Sequence, residues 1–116
     1  MNDFTFVIND LNWKLHFIDQ DHAALCSEDR DEVIFGRTAF RTLEVFLDSS
    51  LDYVQFRRTV EHELTHVFAY SYAVKLELAD EEQIADFNGT YIDSIYHLTE
   101  RICRLYTERG AVNADP

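Results

Sequence analysis

The order of periodicities along the chain predicts an α+β domain, with a small, mostly antiparallel sheet of about three strands followed by two long helices. Three observations predict it. Period-two alternation falls in the first half, whereas apolar residues at three- and four-residue steps fall in the second. Both helical segments begin at residues with capping oxygens. The single Pro closes the chain and there are only three Gly, so no linker divides it. The 116 residues are therefore expected to form one domain over 1–109, with 110–116 a frayed polar tail.

Residues 12–18 alternate, with Trp13, Leu15 and Phe17 on one side, and read as a half-buried strand. Residues 19–32 are polar and acid-rich and read as a loop with room for one helical turn. A second strand is expected over 33–40, where Val33, Ile34, Phe35 and Phe40 surround Gly36. A third covers 42–47, with Leu43, Val45 and Leu47 on one face, and the short gap before it predicts an antiparallel hairpin. Asp48, Ser49 and Ser50 supply capping oxygens for a helix from Leu51 to about Tyr72, apolar at Val60, Leu64, Val67 and Phe68. After a connection through Leu76 and Leu78, Asp80 and Gln83 form a capping box. It opens a helix from Glu81 to about Arg109, with an apolar stripe of Ile84, Phe87, Tyr91, Ile95, Leu98, Ile102 and Leu105. Gly89 interrupts that helix at a cost, unless something packs close to it.

Composition narrows the function. Hydrophobic residues make up 47% and aromatics 14%, which is globular and points to a core of bulky rings from nine Phe and six Tyr. The net charge of −12 repels phosphate backbones, so no nucleic-acid partner is expected. The weak basic groups are Arg57 with Arg58, and Arg101, Arg104 and Arg109, the latter where cations offset a helix dipole. No secretory start and no run of roughly 20 apolar residues is present, so no membrane association is expected. Cys26 and Cys103 fit no metal spacing; reduced thiols and a cytoplasmic monomer or small homo-oligomer are the expectation.

Residues 62–66, His-Glu-Leu-Thr-His, carry the chemistry. On a helix His62 and His66 stand one turn apart on one face, with Cβ atoms about 6 Å apart. Two imidazoles so spaced grip a tetrahedral Zn²⁺ from one side and leave room for a third ligand and a water. Glu63 is then placed to take a proton from that water. Glu82, in the first turn of the second long helix, is the expected third ligand, with Glu81, Glu77 and His97 as rivals. Asp86, one turn on, is expected to accept the free N–H of a ligand His and fix its orientation. An oxyanion donor is also needed; Tyr70, Tyr72, Tyr91, Tyr96 and His97 are candidates, and His97 is preferred because Asp93 and His97 extend the polar stripe of Glu82 and Asp86.

His-Glu-x-x-His followed by Glu-x-x-x-Asp resembles the gluzincin pattern of zinc metallopeptidases, and within it the minimal ImmA/IrrE-type peptidases of bacteria and their mobile elements. Residues 57–66 resemble that family's active-site helix, 43–47 its strand beside the cleft, and 82–87 its third-ligand block. The chain departs at Asn88-Gly89-Thr90, where relatives usually carry small apolar residues. The resemblance implies a zincin-like fold and hydrolysis of a protein or peptide substrate, with an extended substrate held by strand addition at the 42–47 strand. A catalytically silent zinc-binding module that holds a protein partner is the alternative.

Overall fold

The computed structural model describes residues 4–26 and 34–108. Four strands, β1 (Phe4–Ile8), β2 (Leu11–Ile18), β3 (Gly36–Ala39) and β4 (Glu44–Asp48), precede two helices, α1 (Tyr53–Ser71) and α2 (Glu81–Glu108). Short 3₁₀ turns lie at Ala23–Leu25 and Leu76–Leu78. The expected order, strands and then helices, is present. Val33, Arg109 and the 110–116 tail lie outside the described residues.

The sheet has four strands rather than about three, in the order β1-β2-β4-β3. Two of its three pairings are antiparallel, in line with a mostly antiparallel sheet, and the third is parallel. β1 completes a hairpin with β2 through the two-residue turn Asn9-Asp10, where φ is 48° and 65°. Both residues stand in the left-handed region that such a turn demands, and Asn and Asp tolerate it best after Gly. Exposed Val7 breaks the polar alternation of β1, which hid the strand in the sequence. β3 and β4 form the expected antiparallel hairpin, but β4 also pairs parallel with β2, Leu15 opposite Val45 and Phe17 opposite Leu47. β4 is therefore an interior strand, and the edge beside α1 is β3, not the 42–47 strand expected there.

One sheet face packs on α1. Trp13, Leu15, Val45 and Leu47 meet Phe56, Val60, Leu64 and Val67, all essentially buried. Removing that apolar area from water, at about 25 cal/mol per Å², is the main term holding the layers together. Two polar contacts fix the register of hairpin on helix: Trp13 Nε1 donates to Ser71 Oγ at 3.0 Å, and Asn9 Nδ2 to the Ser71 carbonyl at 2.9 Å. On the opposite sheet face His16 meets Glu44 at 2.7 Å. The hydrogen bond from Thr42, then that from His16, holds the Glu44 carboxyl below its ordinary pKa.

Asp52, rather than the Asp48–Ser50 run, caps α1, accepting from the Gln55 N–H at 2.9 Å. Asp48 is instead buried and accepts from the backbone and hydroxyl of Ser50. The capping box of α2 is as expected, with Asp80 and Gln83 exchanging hydrogen bonds of 2.9 Å. α2 runs antiparallel along α1: Arg57 pairs with Glu100 near one end, and Tyr72 stacks on Tyr91 near the other. Phe56 and Tyr106 lie face to face, centroids 3.5 Å apart. Burial, with Asp48 nearby, pushes the Tyr106 phenol up to about 12. The stripe of α2 is buried at Phe87, Leu98 and Ile102 and half-buried at Tyr91, Ile95 and Leu105, but Ile84 is exposed.

Candidate functional site

The His-Glu-x-x-His segment occupies the third and fourth turns of α1. Helical spacing turns Val60, Leu64 and Val67 into the core. His62 and His66 consequently emerge on an exposed flank, their ring centroids 5.0 Å apart. This is the placement that the spacing of the two imidazoles predicts.

Glu63 packs against β3 and is only 6% exposed. Thr38, on β3, donates its hydroxyl to Glu63 Oε1 at 2.7 Å. The second oxygen, Oε2, lies 4.0 Å from His62 Nε2. Gly36 lets the strand come this close. A Cβ there would stand 2.7 Å from Thr59 Cγ2 and 3.1 and 3.2 Å from Cγ and Oε2 of Glu63. One carboxylate oxygen is thus held while the other faces the first imidazole. Thr38 and Gly36 shape the candidate site, and sequence reasoning missed them. The lone Gly in an apolar run was the available signal, since Gly inside a strand marks a close approach of backbone to something else.

Two cavities meet at this segment. The larger, about 1020 Å³, is shared by His62 and His66 and walled by Leu11, Phe40, Ala69, Tyr70, Val74 and Leu76, with Lys75 and Glu77 also on its lining. Phe40 stacks on Tyr70 at 5.0 Å and turns its edge to His66. The smaller, about 350 Å³, holds His62 and Glu63 together with Gly36, Gln55, Arg58 and Thr59.

The second helix does not deliver what the spacing promised. Glu82 and Asp86 are exposed on its opening turns. Among the described residues, no three His, Cys, Asp or Glu side chains gather closely enough to hold a metal ion. Glu82 is therefore not brought up to His62 and His66. Glu81 is likewise exposed, whereas Glu77 lines the large cavity with both imidazoles. The expected oxyanion donor is also displaced: His97 lines a third cavity, about 530 Å³, with Phe6, Val7, Tyr72 and Arg101 on the β1 side. The reason is the packing of α2, which sets the segment around His97 beside β1. Of the five donors considered, Tyr70 is the one that lines the cavity of the two imidazoles.

Arg57 and Cys103 line neither cavity at His62. Burial works against the Arg57 charge, but Glu100 and Tyr53 hold its pKa above the ordinary value. Burial pushes the Cys103 thiol up to about 11, which makes it an inert core residue. No helix among the described residues is long and apolar enough to cross a membrane. Comparison with family models, with characterised proteins and with solved structures finds no match for this chain.

Proposed function

We propose that the chain is a zinc-dependent peptidase in which His62 and His66 are metal ligands and Glu63 is the general base. The observation that carries this reading is the Glu63 carboxylate, buried against β3 with one oxygen anchored by Thr38 and the other turned towards His62. A side chain serving only helix solubility would not be built in this way.

The donor chemistry fits zinc on the near side. Two imidazoles on one helical face with an open flank would supply two of the three protein ligands of a catalytic zinc site. The third position is not filled by the described geometry. Two carboxylates compete for it: Glu82, with Asp86, from the spacing of the motif alone, and Glu77, which lines the cavity of both imidazoles. Zinc affinity decides between them: Glu82→Ala should weaken it at least tenfold while Glu77→Ala leaves it intact, and the reverse result reassigns the ligand.

Zinc, when bound, supplies Lewis acidity to the scissile carbonyl and makes water acidic enough to attack near neutral pH. Glu63 Oε2 accepts the proton of the attacking water, while Thr38 stays on Oε1 and prevents the carboxylate from swinging away. The same oxygen then returns the proton to the leaving amine nitrogen. Tyr70, which lines the cavity of the two imidazoles, is the donor we propose for the developing oxyanion.

The second reading is a catalytically silent or latent zinc-binding module that holds a protein partner, for which the exposed Phe40 and Tyr70 rings offer a surface. One experiment separates the two. Wild type and Glu63→Gln are compared for zinc content, melting temperature and cleavage of a broad peptide library. Peptidase action requires stoichiometric zinc in both, nearly equal melting temperatures, and cleavage by wild type alone. A wild type that stays metal-free in excess zinc, or that cleaves nothing when loaded, overturns it.

A further inference from the structure

We infer that the substrate is a peptide carrying a bulky apolar residue before the scissile bond and an acidic residue after it, lying antiparallel along β3. This rests on the peptidase reading, yet binding alone tests it.

Two cavities flank His62, one walled mainly by apolar side chains and one with Arg58 on its lining. On one side, Leu11, Phe40, Tyr70, Val74 and Leu76 wall a space large enough for an aromatic or branched side chain. Phe40 and Tyr70 are 40% and 47% exposed, so their stacked rings offer apolar surface that nothing described in the chain covers. On the other side Arg58 lines the smaller cavity. Its neighbour Arg57 is matched by Glu100, whereas Arg58 has no carboxylate partner among the described residues. Among the described residues, Arg58 is the one Lys or Arg on the lining of the cavity that holds His62 and Glu63. It presents a fork of donors suited to a carboxylate.

The order of the two residues follows from the direction of the strand. β3 begins at Gly36, which lines the Arg58 cavity, and ends at Ala39, next to Phe40 in the apolar cavity. Its outer edge has no strand partner among the described residues. Antiparallel pairing is the commoner mode, and a guest strand so paired passes the apolar cavity first and Arg58 second.

The test uses chelator-treated wild-type protein, in which no cleavage occurs, and fluorescence anisotropy with three labelled peptides that differ only at a central pair: Phe-Glu, Phe-Lys and Glu-Phe. Phe-Glu should bind about tenfold more tightly than either of the others. Arg58→Glu should invert the preference between Phe-Glu and Phe-Lys; circular dichroism verifies that this exposed substitution leaves the fold intact. Equal affinities for the three peptides, an unchanged preference in Arg58→Glu, or no binding up to roughly 1 mM overturns the inference. Selective binding without cleavage once zinc is restored overturns only the peptidase reading, and cleavage at unrelated pairs without selective binding overturns only this inference.

Discussion

At the scale of the residue, the site is a matter of which oxygen is free. Thr38 occupies Glu63 Oε1, and Gly36 admits the strand that carries Thr38. Thr38→Val should leave that buried oxygen without a donor and let the carboxylate drift; kcat should fall roughly 10- to 100-fold with KM little changed. Thr38→Ser should restore most of it. Steady-state kinetics checks this, and a Thr38→Val enzyme with wild-type kcat but a lower melting temperature would reduce Thr38 to a structural role. His62, Glu63 and His66 were legible in the sequence because their relation is local, fixed by one turn of helix. The Thr38–Glu63 bond was not, because its partners lie on different elements whose approach only tertiary packing decides. Arg58 was visible as a charge, but nothing in the linear order shows that Glu100 answers its neighbour and leaves it unmatched.

At the scale of the element, α2 shows what local rules settle. Asp80 and Gln83 are three positions apart and form both predicted bonds. Gly89 is a different case. A Cβ there would meet nothing within 4 Å, so no close packing offsets its conformational freedom. Gly89→Ala should therefore stabilise the protein by about 0.5–1 kcal/mol, read from the midpoint of a urea transition. An unchanged or lowered midpoint would mean that another body rests on that face. Strand identity was legible for β2, β3 and β4 from alternation and from Gly36. The neighbours of β4 were not, since a parallel pair joins segments distant in the chain and leaves no turn to announce it. The rotation of α2 was equally beyond reach: a stripe of apolar positions says which face is inward, but not that inward means Phe68 and Tyr72 rather than the flank of His62.

At the scale of the whole molecule, charge and topology set the behaviour. With 22 acidic against 10 basic residues, the folded state concentrates like charge that the unfolded chain spreads out. Raising ionic strength from about 0.01 to about 0.15 M shortens the screening length from roughly 30 to 8 Å and should raise the melting temperature by a few degrees. A fall would mean that attractive pairs such as Arg57–Glu100 outweigh the repulsion. Topology has a separate effect, on time. β4 is the last strand in the chain, yet it sits between β2 and β3, so the sheet stays in two pieces until Lys14–Ile18 finds Glu44–Asp48. That encounter spans the whole intervening segment, and its closure entropy grows only slowly, about 0.6 kcal/mol per doubling of length. Residues inserted between β2 and β3 should therefore slow refolding more than they change the rate of unfolding, which stopped-flow kinetics checks.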